Sequence, residues 1–339
     1  MRCFDGELGI HNVQMQCRLF DTLVRPVLNY GCEVWGVEQL SSAKAVQGDG
    51  AAELLHYAFL RQSLGLRKSV ARAVILRECN RTCMNSAWLK QALGFYNRVV
   101  KRDVTDVTRR ALLEDINQNL KGSWAFHIKK CMRNIGCDEE ASVMMAGQPV
   151  NIPKVVKALS DAQEQKAWST MPTTYQSVRE VPDCERNGFK LWTYSNLFAL
   201  DEGKVAGYLD CLNDRESITT VARFRMYSHS LGVETGRWGV NVNGKRQVVA
   251  RSQRLCTMCT LHDRDDELHV LHCPAYAHFR LMYFGDVDCF KNITTDADFK
   301  RLMNGDTALC GGGRRFWKTL ADYLRGVNLY RKETFLDMP

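Results

Sequence analysis

The chain has 339 residues, 45% of them hydrophobic and 25% charged, which suits one large or two smaller soluble domains. No apolar run reaches the roughly 18 residues of a membrane span, and the opening "MRCFDGELGI" lacks the apolar core of a signal peptide, so an intracellular protein, in nucleus or cytoplasm, with no membrane partner is expected. Net charge is +8, and 14 cysteines without a secretory signal point to buried or metal-binding thiols and away from a disulfide framework.

In chain order, residues 11–31 place Val13, Cys17, Phe20 and Val24 at helical spacing, with a kink expected at Pro26. Residues 37–50 are small and polar, end in "GDG", and read as a loop. Leu54, Leu55, Ala58 and Leu64 mark a helix closed by Gly65. Ser69 reads as the N-cap of "VARAVILREC", and Ser86 as the cap of a helix with Leu89, Leu93, Tyr96 and Val100 on one stripe. Further helices are expected near 107–121, 123–135, 152–168 and 219–227. The last carries Phe316, Leu320, Tyr323 and Val327. Strand signals are sparse, "KRQVVAR" being the best. The fold class is therefore mainly α, a multi-helix assembly, with a small C-terminal metal module described next.

"LCTMCTLHDRDDELHVLHCPAY", residues 255–276, holds three cysteines and three histidines. Cys256 and Cys259 form a C-x2-C pair, which can hold one tetrahedral ion from a tight turn. His269 and Cys273 follow at i and i+4, on one face of a helix that Asp265 or Asp266 can cap. The pattern describes a closed CCHC site for one structural zinc ion, with His262 and His272 as alternative ligands. Chance clustering in a cysteine-rich chain is the competing reading, weakened by four ligands at ordered spacing. Small knuckles of this kind often bind single-stranded nucleic acid.

The charge is uneven. Residues 61–110 carry twelve Lys or Arg against Glu78, Asp103 and Asp106, a local excess of +9 in a chain whose total is +8. Such an excess suits a polyanion, although a solvated helix face gives the same pattern. On the first reading, Arg61, Arg67, Lys68, Arg72 and Arg77 line a nucleic-acid-facing surface, extended by Arg98, Lys101 and Arg102.

Four blocks carry a resemblance. "CRLFDTLVRPVLNYGCEVWG" (17–36) resembles the thumb-like segment after the palm in reverse transcriptases of non-LTR retrotransposons, and "FLRQSLGLRKSVARAVILREC" (59–79) resembles the next block of that family. "ARFRMYSHSLGVETGRW" (222–238) and "RLCTMCTLHDRDDELHVLHCPAYAHFR" (254–280) resemble the block that ends in its zinc-binding motif. Order and spacing agree from about Leu8 to the last helix. One departure is the family's usual His-x4-Cys, here His269-x3-Cys273.

The resemblance implies a thumb-like end of a reverse transcriptase module at 1–36, the loop 37–50, a basic helical linker domain at 51–200 and a zinc-binding C-terminal domain at 201–339. It implies element RNA and/or target DNA as partner. The family's paired palm aspartates lie upstream of the block at 17–36, so this stretch is expected to begin after them. The nearest imitation, Asp286 and Asp288 in "YFGDVD", reads as a surface turn. The chain as it stands is expected to bind nucleic acid without polymerase activity. The alternatives are a fragment of an active RNA-directed DNA polymerase polyprotein and a decayed element copy.

Overall fold

The computed structural model describes residues 9–169, 186–200, 203–236, 240–242, 245–247, 249–250, 253–259, 261, 263–311 and 313–336. It is mainly helical. Helix α1 (Val13–Leu19) runs through a π turn at Phe20–Val24 into α2 (Arg25–Asn29), whose second residue is Pro26. Pro26 has no N–H to donate, and Arg25 N–H closes the wider turn on Phe20 O, so the expected kink is a π bulge. Residues 37–50 are not a loop throughout. After α3 (Cys32–Trp35) they form the short helices α4 (Val37–Leu40) and α5 (Ala43–Gln47), with Val37, Leu40 and Ala45 buried. Their apolar residues sit at i and i+3, a spacing too brief to stand out among small polar neighbours.

Helix α6 (Ala51–Leu64) ends at Gly65 as expected, with φ +63°. Its inner face is Ala52, His56, Phe59, Leu60 and Leu64, whereas Leu54 and Leu55 are exposed. In α7 (Arg72–Glu78) the N-cap is Ala71, and Ser69 instead accepts from Lys190 Nζ. In α8 (Met84–Val100) the cap position is Cys83, and Ser86 is buried inside the helix, 2.9 Å from the Cys83 thiol. Both serines have tertiary partners in place of a capping role, Lys190 for Ser69 and Ser160, at 3.3 Å, for Ser86. The next caps are side-chain caps: Asp106 for α9 (Val107–Gln118), Ser123 for α10 (Trp124–Asn134) and, after α11 (Asp138–Met145), Asn151 for α12 (Ile152–Trp168).

Then come α13 (Arg186–Leu197), α14 (Gly207–Cys211), α15 (Arg215–Arg225, capped by Asp214) and α16 (Gly232–Thr235). Strands β1 (Val240–Val242) and β2 (Lys245–Gln247) pair antiparallel, Asn241 opposite Arg246. The chain continues through α17 (His269–His272), α18 (Ala277–Phe284), α19 (Asp296–Met303, with a Thr295–Asp298 capping box), α20 (Thr307–Cys310) and α21 (Gly313–Leu336).

The chain divides into two compact units that interleave in sequence. The first comprises Met1–Gln16, Leu60–Asn80 and Thr170–Pro339; the second comprises Cys17–Phe59 and Arg81–Ser169. In the second unit α8 is the central rod, with α3, α4, α9 and α12 packed on it. It buries Trp88, Leu89, Ala92, Leu93, Tyr96 and Val99, and the Tyr96 hydroxyl reaches the carbonyls of Met144 and Gln148, both at 2.9 Å. This unit also leaves an apolar stripe in solvent: Leu23, Val27, Tyr30 and Val34, 57–85% exposed. In the first unit α21 packs on α14, α15 and α18, with Phe316, Leu320, Tyr323 and Val327 buried as the periodicity predicts. Its core also holds a buried ion pair. Arg225 donates to the Glu78 carboxylate, which accepts from Tyr194 at 2.7 Å, and the guanidinium lies over the rings of Phe198 and Tyr208. Among the described residues, no helix is long and apolar enough to cross a membrane, and no cysteine forms a disulfide.

Candidate metal centre

The site is built on a tight reversal of the chain in the first unit. Leu255 and Arg264 form an antiparallel bridge; Cys256 N–H donates to Asp263 O at 2.8 Å and Asp265 N–H to Arg254 O at 2.9 Å. Cys256 thus leaves the bridge pointing inward, and Cys259 comes from the bend that follows. His269 opens α17, where the Asp266 carboxylate accepts its N–H at 3.0 Å, so of the two aspartates Asp266 performs the expected capping role. Cys273 is the residue just past α17, its N–H bonded to His269 O at 2.8 Å. The i, i+4 relation therefore survives to the last turn, which is why both side chains face the same point.

One ligand atom from each of Cys256, Cys259, His269 and Cys273 lies within 4.8 Å of the others. Cys256 Sγ is 3.9 Å from Cys273 Sγ, and Cys259 Sγ is 3.5 Å from His269 Nε2. Metal–sulfur bonds of about 2.3 Å and metal–nitrogen bonds of about 2.0–2.1 Å at tetrahedral angles give edges of about 3.8 Å and about 3.6 Å. The group can hold one metal ion, through three sulfurs and one imidazole nitrogen. His269 Nε2 faces the sulfurs, and Nδ1 lies 3.6 Å from the Asp263 carboxylate. The Cys273 thiol, bonded to Cys256 and outweighing burial, holds Cys256 well below the ordinary thiol range; the same bond and burial push Cys273 up. Binding a metal ion requires the thiols in their deprotonated form.

The surroundings fix the ligands in place. Arg280 donates to Cys273 O at 2.8 Å and Tyr323 to Val270 O at 2.6 Å. Arg331, from α21, makes a two-pronged pair with Asp265 at 2.9 and 2.6 Å and donates to the Tyr276 hydroxyl at 2.9 Å. Only the acid-rich "DRDDE" hinted at these partners; Arg280 and Arg331 lie too far along the chain for spacing to reveal them. His272 faces away and bonds Ile293 O at 2.8 Å, so it is not the fourth ligand. His262, the other alternative, lies outside the described residues.

The eight basic residues singled out in the sequence fall in both units. In the first, Arg67 and Lys68 are exposed, whereas Arg61, Arg72 and Arg77 are half-buried; Arg61 donates to Val70 O at 3.1 Å and Arg77 to Leu200 O at 3.3 Å. Arg223, not anticipated, stands near Arg67: burial and the Arg67 charge lower its pKa, and its Nε donates to Gly65 O at 2.8 Å. In the second unit Arg98, Lys101 and Arg102 are exposed, Arg102 lying 3.5 Å from Asp106. Asp286 and Asp288 stand in an exposed turn, Asp288 N–H donating to Asp286 at 2.9 Å. Comparison with protein-family models, with curated proteins and with solved structures found no match.

Proposed function

We propose that the chain is a zinc-containing nucleic-acid-binding protein, the C-terminal portion of a reverse transcriptase of the non-LTR retrotransposon kind, without polymerase activity of its own. The observation that carries the reading is the Cys256–Cys259–His269–Cys273 group, whose four ligand atoms lie within 4.8 Å of one another. Three thiolates and an imidazole are the donor set of structural zinc. Such a site is closed, with no position for a reactive water, and its role is to hold 254–273 in shape. A zinc ion with three thiolates has a net charge of −1, so the module does not itself attract phosphate. That task falls to exposed cations, and Arg67 with Arg223 supports it: Arg223 reaches the turn before Arg67, at Gly65 O, and feels the Arg67 charge, with no carboxylate paired to either among the described residues. The exposed stripe Leu23–Val34 is consistent with a segment that packs on a polymerase module.

The test is binding of the full chain to a 20-nucleotide single-stranded RNA and a 20-base-pair DNA across a salt series. Affinity is expected to fall with a log–log slope of about −0.7 per phosphate contact on the single strand and about −0.9 on the duplex. Arg67→Ala/Lys68→Ala should weaken all sequences alike and flatten the slope by about one to two units. Equal binding by the double variant, with an unchanged slope, would refute the placement; no binding by the wild type would refute the function. Primer extension on an RNA template with magnesium should be undetectable, since clustered carboxylates for two metal ions are missing among the described residues.

A further inference from the structure

A groove of about 590 Å³ opens in the second unit between α2, α8 and α12. That volume is ordinary for a small-molecule site. Three cations stand on it, Arg25, Lys90 and Arg98, and no acid lines it. Lys90 and Arg98 have no carboxylate partner among the described residues. Arg25 has one, Asp21 at 3.4 Å, but Asp21 is also held by Arg81, so one carboxylate serves two guanidiniums.

The neutral polar groups are donors as well. The Trp88 indole N–H, which can only donate, occupies Asn29 Oδ1 at 3.1 Å, leaving the Asn29 amide NH2 for the groove. The Cys32 thiol, pushed up to about 12 by burial and so a neutral donor, occupies Gln91 Oε1 at 2.8 Å, leaving the Gln91 NH2. The floor is apolar and low, from Ala87, Gly94, Ile152 and Val156. Gly94 is mid-helix, where alanine is the better helix former. Yet a Cβ there would meet nothing closer than Arg98 Nη1 at 3.5 Å. Packing does not require the glycine; the open floor does, and the Arg98 guanidinium lies over it. Residues 90, 94 and 98 share one face of α8, the two cations about 12 Å apart along the axis.

We propose that this groove binds a nucleotide unit, its planar ring on the floor at Gly94 and its phosphate oxygens between Lys90, Arg98 and the Asn29 and Gln91 amides. The phosphate can come from a free nucleotide or from a single strand. The second source rests on the function proposed above; the first does not.

The test uses the full metal-loaded chain with two probes, magnesium-free ATP and a 12-nucleotide single-stranded RNA, and two variants, Lys90→Gln/Arg98→Gln and Gly94→Leu. Each variant is expected to lose tenfold or more in affinity for whichever probe the wild type binds, and adenosine or tripolyphosphate alone should bind at least tenfold more weakly than ATP. If Gly94→Leu does not fold, the charge-neutral pair, both exposed, decides alone. Binding of ATP but not RNA, lost in the variants, supports a free-nucleotide site and counts against the nucleic-acid function. RNA binding lost in the variants supports a strand site. RNA binding unchanged in both variants, with no ATP binding, overturns the groove while leaving the nucleic-acid function standing. No binding of either probe overturns both.

Discussion

Replacing Asp265 by asparagine should destabilise the metal loop through an arginine 66 positions away. Arg331 and Asp265 are 4% and 2% exposed, and Asp265 receives two guanidinium hydrogen bonds, at 2.9 and 2.6 Å, besides the Gly232 N–H. Asp265→Asn keeps the shape and one oxygen acceptor but removes the negative charge that faces the buried Arg331 guanidinium, beside the neutral Tyr276 oxygen at 2.9 Å. Breaking a buried pair from one side costs about 3–5 kcal/mol, and the retained acceptor places this variant near about 3 kcal/mol. Arg331→Met should cost a similar amount, because it strands the carboxylate instead. The double variant should cost less than the two together by about 1–3 kcal/mol. With two compact units a single unfolding midpoint is not a safe readout, so the assay is native-state hydrogen exchange at the amides of 265–273 and of α21. Opening free energies that fall by less than about 1 kcal/mol, or strict additivity in the double variant, would refute the assignment of this pair as the clamp.

Two further outcomes are expected. His56 is 1% exposed, stacked on Phe20, and neither ring nitrogen has a hydrogen-bond partner among the described residues; burial, with Arg81 and Arg25 nearby, lowers its pKa from 6.5 to about 4. A depressed histidine is neutral in the fold, so its contribution is complete above about pH 6.5 and is lost as pH falls toward 4, up to about 3 kcal/mol; His56→Leu should remove that part of the acid sensitivity in urea titrations at each pH, and an unchanged pH slope would count against it. Gly65→Ala should lower stability by about 2 kcal/mol, since φ is +63° and a Cβ would come within 2.4 Å of Thr219 Oγ1; Thr219→Ala should restore part of it, and unchanged native-state hydrogen exchange at the amides of α7 and α15 would contradict the turn.

What the sequence made legible follows from range. The helix end at Gly65, the stripe Phe316–Val327 and each half of the metal set, Cys256–Cys259 and His269–Cys273, depend on spacings of three or four residues or on one strained dihedral, and these are local. Ser69 and Ser86 look like caps by the same local rule, but Lys190 bonds the first and Ser160 lies 3.3 Å from the second, contacts that spacing cannot express. Leu54 and Leu55 have the hydrophobicity of a core face, yet the helix turns Glu53 and His56 inward in their place: Glu53 accepts from Asn85 N–H at 2.8 Å, and the His56 ring stacks on Phe20. The metal clamp is likewise invisible, since Arg280 and Arg331 are ordinary basic residues until α18 and α21 fold beside the loop. The groove was half legible: Arg98 belonged to the charge run, but Arg25 and Gly94 gain meaning only when α2 and α12 meet α8.

The most direct check is the metal itself. Zinc-edge X-ray absorption on the full chain, purified under reducing conditions without chelator, should give one zinc per chain with three sulfurs at about 2.3 Å and one nitrogen at about 2.0–2.1 Å. The sulfur count should fall by one in Cys259→Ser. A chain without stoichiometric zinc, a shell of oxygen and nitrogen only, or a shell that Cys259→Ser leaves unchanged would contradict the account.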